Sequence, residues 1–233
     1  MKALRGLLAT VTLSFLAGCG GGGDGGTSVS VQAVISGTAT AGPVSTATVA
    51  AYGISGGQMG AQLAAATTDA NGNFTVAIGS YAGPVTLQVS GGSYTDEATG
   101  TAMTMAPGDV MTVAIPSVAA GSTTSGVQVT AMTAMAQTLA QHMAGGMTDA
   151  NITAANTAMG NYFSVSDIVH VQPMNPLVTG SGAGASQDSQ NYGMTLAAMS
   201  KYAQTLGMSA SSAMVSALMN DAADGSVKTD FVA

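Results

Sequence analysis

Leu63-Ala64-Ala65-Ala66-Thr67-Thr68-Asp69-Ala70-Asn71-Gly72-Asn73-Phe74-Thr75-Val76-Ala77-Ile78 decides the fold of the first half of the chain. Phe74, Val76 and Ile78 alternate with small or polar residues, the period of a half-buried strand. Asn71-Gly72 adopts φ > 0 at little cost, which favours a tight reversal. The stretch therefore predicts a β-hairpin, with arms at 63–68 and 74–78 about Asp69–Asn73. The same punctuation recurs on both sides. Val31 to Ile35 reads as a first strand ended by Ser36-Gly37, and Gly42-Pro43 marks a turn. Ala47 to Tyr52 follows, with Ala47, Val49 and Ala51 on one face. Val85-Thr86-Leu87-Gln88-Val89 alternates and stops at Gly91-Gly92, and Met103 to Met105 and Val110 to Ile115 complete a set of about seven strands. Short strands at regular spacing argue a sandwich rather than βαβ units.

Three motifs here resemble carboxypeptidase regulatory-like (transthyretin-like) domains: Ile35-Ser36-Gly37, Gly42-Pro43-Val44 with Ala47-Thr48-Val49, and Thr68 to Phe74. The resemblance spans roughly Val31 to Ile115. It implies a prealbumin-like β-sandwich of the kind appended to exported proteins as a stalk, spacer or binding module. Tyr94 to Gly100 departs from the simplest version of that family and reads as an inserted loop.

Asp69, Asn71 and Asn73 present side-chain oxygens at every second position, as calcium loops do. Such loops end on a bidentate acid at the twelfth position, which here is Ser80. The turn reading is favoured, and calcium is the alternative if Asp96 or Glu97 folds onto the loop.

After a Ser/Thr/Gly/Ala connector at 117–126 the period changes to that of helices. Met132, Met135, Leu139 and Met143 form one stripe ended by Gly145-Gly146. Thr148 is a candidate N-cap for a second stripe of Ile152, Ala155, Met159 and Phe163, with Asp149 in its first turn. Val165 to Val178, with Pro173 and Pro176, predicts an extended loop, and Thr179 to Ser186 a flexible run. Tyr192, Leu196, Met199, Ala203 and Leu206 make a third helix stopped by Gly207. Ser209 or Ser211 caps a fourth, with Met214, Leu218 and Asp221 on one face. The sequence thus predicts about four helices packed on Met, Leu and Ala. This half resembles a helical module that follows such sandwiches in bacterial surface lipoproteins. The shared features are Thr130 to Thr138, Phe163-Ser164-Val165 with Asp167-Ile168 and Pro173, Tyr192 to Leu206, and Asp221-Ala222-Ala223-Asp224-Gly225. The resemblance implies no known activity.

Other chemistry is thin. Sixteen methionines raise a Cu(I) reading, but they fall on strand and helix faces where core packing accounts for them. His142 and His170 are the two histidines and neither has a nearby Cys, Glu or second His in sequence, so a zinc site is not expected. No Gly-x-Ser-x-Gly, His-Glu-x-x-His or Walker motif occurs. Asp221, Asp224 and Asp230 read as a helix ending rather than a cation site. No cofactor is expected.

The amino-terminal end sets the location. Lys2 and Arg5 precede an apolar run from Leu7 to Leu16, the layout of a secretory signal at 1–18 and too short to span a bilayer. Leu16-Ala17-Gly18-Cys19 resembles the lipobox of bacterial lipoproteins, which implies acyl chains on Cys19. Cys19 is the one cysteine, so no intrachain disulfide is possible. Acyl chains anchor by about 0.8 kcal/mol per buried methylene. An Asp after the cysteine would resemble the inner-membrane retention signal of these lipoproteins; Gly20 stands there instead, and the resemblance then implies the outer membrane of a Gram-negative cell. The Gly-rich segment from Cys19 to Ser30 reads as a tether spanning on the order of 20 Å.

The formal net charge is −7, and only Lys201 and Lys228 remain as strong cations once the signal leaves. That excludes a basic nucleic-acid surface and attraction to anionic lipid. Together these features predict an α+β two-domain chain, with a β-sandwich at 31–116, a linker at 117–126 and a helical module at 127–233. The expected role is a lipid-anchored, non-catalytic structural or partner-binding protein of the cell envelope, its partner an envelope protein or glycan. The alternative is an envelope enzyme or enzyme accessory acting on glycan or peptide.

Overall fold

A computed structural model describes residues 32–208, 214–215 and 217–219. The chain is α+β. Among the described residues nine strands are formed: β1 (Val34–Ala39), β2 (Thr48–Ser55), β3 (Gln58–Thr67), β4 (Asn73–Ala77), β5 (Gly83–Ser90), β6 (Ser93–Thr95), β7 (Ala102–Thr104), β8 (Val110–Val118) and β9 (Thr123–Val129). Three helices follow, α1 (Ala131–His142), α2 (Asp149–Phe163) and α3 (Gln187–Thr205). Residues 214–215 and 217–219 are helical as well. Cys19, Asp221, Asp224 and Asp230 lie outside the described residues, as do the expected signal and tether.

The strands form three sheets, ordered β4-β1-β9, β3-β2-β5-β8 and β6-β7. In the first, β1 pairs antiparallel with β4 (Ile35 opposite Val76) and parallel with β9 (Gly37 opposite Val127). A Cβ built on Gly37 would lie 1.8 Å from the Val127 carbonyl oxygen, so the β1–β9 approach requires glycine there. The register also shifts between Ile35 and Gly37.

Two connections differ from the sequence expectation. The Asp69–Asn73 reversal forms, but it does not join paired strands, because β3 and β4 belong to different sheets. The turn is closed locally. Asp69 Oδ1 accepts from the backbone amides of Asn71 (2.8 Å) and Asn73 (2.9 Å), and Gly72 has φ 78°. Local chemistry sets the reversal, and the partners of its arms are set by distant strands. The tight hairpin instead lies at Gly56-Gly57, both at positive φ, where Ser55 pairs with Gln58. That is the Gly-Gly form of a two-residue turn. The 117–126 segment, expected as a linker, holds the end of β8 and the start of β9. Its Ser/Thr/Gly composition suits a loop, but pairing with β1 satisfies its backbone and makes it strand.

One buried cluster runs through both halves of the chain. It takes Ile35, Val76 and Val127 from the first sheet, Val49, Leu87 and Val113 from the second, and Met132, Met135, Tyr192 and Leu196 from the helices. Helix α1 is the centre of the helical half, with Ala131–Thr138 and Ala140 all buried. Its amino end is closed by a capping box. Thr130 Oγ1 accepts from the Thr133 amide (3.3 Å), and Thr133 Oγ1 accepts from the Thr130 amide (2.9 Å). The helix is tied to β8 by Thr133 Oγ1 donating to the Thr112 carbonyl (2.9 Å) and Thr112 Oγ1 donating to Gln137 Oε1 (2.9 Å). Helix α2 starts at the N-cap Thr148, as its sequence predicts. Helix α3 is capped by Ser186, the last residue of the 179–186 run expected to be flexible.

Candidate functional site

The helical stripes bury most of their residues but do not close on one another completely. Met135 of α1, Phe163 at the end of α2, Met199 of α3, and Met214 and Leu218 border a groove of about 640 Å³. Its remaining lining comes from Tyr162, Thr195, Ala198, Lys201, Tyr202 and Thr205. The volume falls within the range of roughly 300–1,000 Å³ for small-ligand sites.

The groove follows from the way each stripe ends. Met135 and Leu218 are buried, whereas Phe163 and Met199 are half-buried and Leu206 is 54% exposed. Helix α2 stops at Ser164, which sits in the left-handed region (φ 56°) and turns the chain away just after Tyr162 and Phe163. Those two rings meet edge to face, with centroids 4.8 Å apart at 82°. Lys201 is exposed and donates to Gln204 Oε1 (2.5 Å). It is the only lysine or arginine among the described residues.

Tyr94 to Gly100, the stretch read as an inserted loop, closes the other side of α3. It runs from the end of β6 into the turn that joins β6 to β7, and it turns about Asp96, whose Oδ1 accepts from the amides of Ala98 (3.1 Å) and Thr99 (3.0 Å). Asp96 Oδ2 accepts from Ser200 Oγ (2.6 Å), which fastens the loop to α3. Glu97 beside it is 9% exposed and borders a small void with Leu196, Met199 and Met214. Burial pushes the Glu97 carboxyl up to about 7. The Gly42 amide pulls it down in part, and the Asp96 charge raises it further.

This has a consequence for stability. The folded chain holds a proton on Glu97 between the ordinary carboxyl value and about pH 7, where the unfolded chain has lost it. The contribution of Glu97 to stability is therefore fully present below the ordinary carboxyl value, declines across this window and is lost once the pH passes about 7. The loss is on the order of 3 kcal/mol from this group. In Glu97→Gln the fall should disappear, which denaturant midpoints at about pH 5 and pH 8 will measure. An unchanged difference between the two midpoints would remove Glu97 as its source.

The other sequence candidates are dispersed. Asp69 and Asn73 are occupied in their own turn. Asp69 Oδ2 accepts from Asn73 Nδ2 (3.0 Å), and that bond leads the causes holding the Asp69 carboxyl below its ordinary value. Asn73 Oδ1 accepts from Thr38 Oγ1 (3.2 Å), and Asn71 is exposed. Asp96 bonds to Ser200 of α3, and Glu97 borders the small void with Met214 and Val215 of the 214–215 helical residues. His142 Nδ1 lies 2.9 Å from the Thr138 carbonyl one turn earlier. His170 pairs with Asp167 at 2.8 Å on the surface. Among the described residues no group of three His, Cys, Asp or Glu side chains converges. No helix among them is long and apolar enough to cross a membrane. Met105, Met132 and Met135 are buried within the core, and Met103 is half-buried against it.

No known protein-family model matches the chain, and no curated protein matches it.

Proposed function

We propose that this chain is a non-catalytic binding module of the cell envelope, anchored through acyl chains on Cys19 and binding its ligand in the helical groove. In this reading the three-stranded and four-stranded sheets are the two faces of a seven-stranded prealbumin-like sandwich. Support comes from the inward residues of both sheets, which share one buried cluster. The sandwich carries the groove, and the Gly-rich tether gives it reach from the membrane. The anchor rests on the lipobox-like Leu16-Ala17-Gly18-Cys19 and the basic, apolar stretch before it.

The observation that carries the binding role is an apolar concavity of about 640 Å³ at the junction of several helices, where a packed core would have none. Two measurements test the two parts. Radiolabelled palmitate fed to expressing cells should label the native chain and not Cys19→Ala. A neutral polarity-sensitive dye (Nile red) should bind the purified protein saturably at one equivalent. Met199→Asp places a charge in the half-buried wall and should weaken that binding at least about tenfold, since an unpaired charge in apolar surroundings costs well over 1.4 kcal/mol. Dye binding that is unaffected by Met199→Asp would sink the groove reading. Equal palmitate labelling of both chains would sink the anchor.

A further inference from the structure

We infer that the groove takes a single-chain amphiphile with an anionic head: a long alkyl chain lies along the methionine-rich floor, and a carboxylate or phosphate sits at Lys201. This rests on the groove being the binding site, and it adds the chemistry of the ligand.

The floor specifies the chain. Met135, Phe163, Met199, Met214 and Leu218 offer no titratable group and no strong hydrogen-bond donor. A ligand body with polar groups along its length would lose their hydration there without replacement. Three of the five are methionines. Their unbranched thioethers re-pack easily, which suits a ligand with many rotamers better than one rigid shape.

The lining residue Lys201 specifies the head. The chain carries a net charge of −7, and its general field disfavours anions. The single lysine or arginine among the described residues nevertheless lines the large apolar groove. Lys201 donates to the neutral Gln204, and no carboxylate among the described residues pairs with it. An ammonium carries three donors, and one bond to Gln204 leaves two for an incoming anion. Thr195 supplies a further hydroxyl in the same lining, whereas the Thr205 hydroxyl is spent on the Tyr202 carbonyl (2.7 Å). A neutral chain gains only the floor, a cationic one meets Lys201 as a like charge, and an anionic one gains both.

The test uses the full chain carrying Cys19→Ser, so that no attached acyl group competes. Nile red is displaced by palmitate, by hexadecanol, by hexadecyltrimethylammonium and by an anionic lysophospholipid, each below its aggregation concentration. Palmitate or the lysophospholipid should compete roughly tenfold better than hexadecanol, a difference of about 1.4 kcal/mol. Whichever anion competes better identifies the source of the head group. Lys201→Gln should erase the preference while hexadecanol competes as before. Equal competition by acid and alcohol overturns the proposal, as does a preference that survives Lys201→Gln or one for the cationic chain. The sequence ends on the apolar Phe231-Val232-Ala233, a rival occupant of the groove, and competition that appears only with Phe231→Asp overturns the proposal in favour of that segment. If Nile red binds and Met199→Asp abolishes it, but no amphiphile displaces it, the ligand class fails while the groove reading stands.

Discussion

Gly37→Ala should leave the chain largely unfolded, or unfolding at a far lower denaturant concentration than the native protein. The added Cβ would meet the Val127 carbonyl oxygen at 1.8 Å, with the carbonyl carbon at 2.6 Å and the Val127 Cα at 2.9 Å. All three are backbone atoms of β9, so no side-chain rotation relieves the overlap. Either β1 or β9 must move out of register. That separates Val127 and Val129 from a core in which both are fully buried. A cost above about 4 kcal/mol is expected, in the range reserved for named core disruptions. Gly100→Ala provides the comparison. Gly100 sits at φ 67° with nothing within 4 Å of a built Cβ, so it should lose only about 1–2 kcal/mol from left-handed strain. Denaturant midpoints for the pair, together with hydrogen exchange at the β9 amides, separate the clash from the strain. Native-like protection of β9 in Gly37→Ala would show that the strands do not pack as closely as described.

The second large effect is at Tyr192. Its ring is fully buried, and its hydroxyl joins three elements. The phenol donates to the Ile168 carbonyl (2.9 Å) and lies 2.7 Å from Thr130 Oγ1, the capping oxygen of α1. Burial pushes the phenol above its ordinary titration range, so it remains protonated at all working pH values. Tyr192→Ala should cost about 3–5 kcal/mol, as expected for an aromatic side chain removed from a core. Tyr192→Phe isolates the hydroxyl. It strands the Ile168 carbonyl and weakens the Thr130 cap, for about 1–3 kcal/mol. A Tyr192→Phe, Thr130→Val double-mutant cycle measures the coupling between the two, and additive losses would show that cap and phenol act independently.

Where the sequence was legible, the reason is local. Alternation at Thr48–Tyr52 and Val85–Val89 marks strands, and both stretches lie within β2 and β5, although Ala50 and Thr86 on the second face are buried as well. The helical stripes are equally local. Met132, Met135, Ile152, Ala155, Met159, Tyr192, Leu196, Ala203, Met214 and Leu218 are all buried. Pairing is another matter. Nothing near Asp69–Asn73 says that Phe74 and Val76 belong with β1 rather than with the preceding strand. The first half of β3 has no signal in the sequence, because Gln58-Met59-Gly60-Ala61-Gln62 is exposed throughout and needs no alternation. The composition of 117–126 is that of a linker, but pairing with β1, some ninety residues upstream, makes its second half strand. The groove was least legible of all. Each of its methionines looks like a core residue on its own helix, and only the meeting of the helices leaves them with an unfilled side. The Asp96–Ser200 bond spans 104 residues and has no local signature either.

The parallel pairing of β1 with β9 has a mechanical meaning. β9 ends at Val129 and passes through Thr130 directly into α1. Tension applied to the chain ahead of Val34 and resisted at the helices would pull these two strands from opposite ends. The slanted rungs between them would then be strained together in shear rather than peeled open one at a time. A module built this way resists a steady pull along that line better than its few rungs suggest, so the helices should keep their footing on the sheets while the chain ahead of them is stretched.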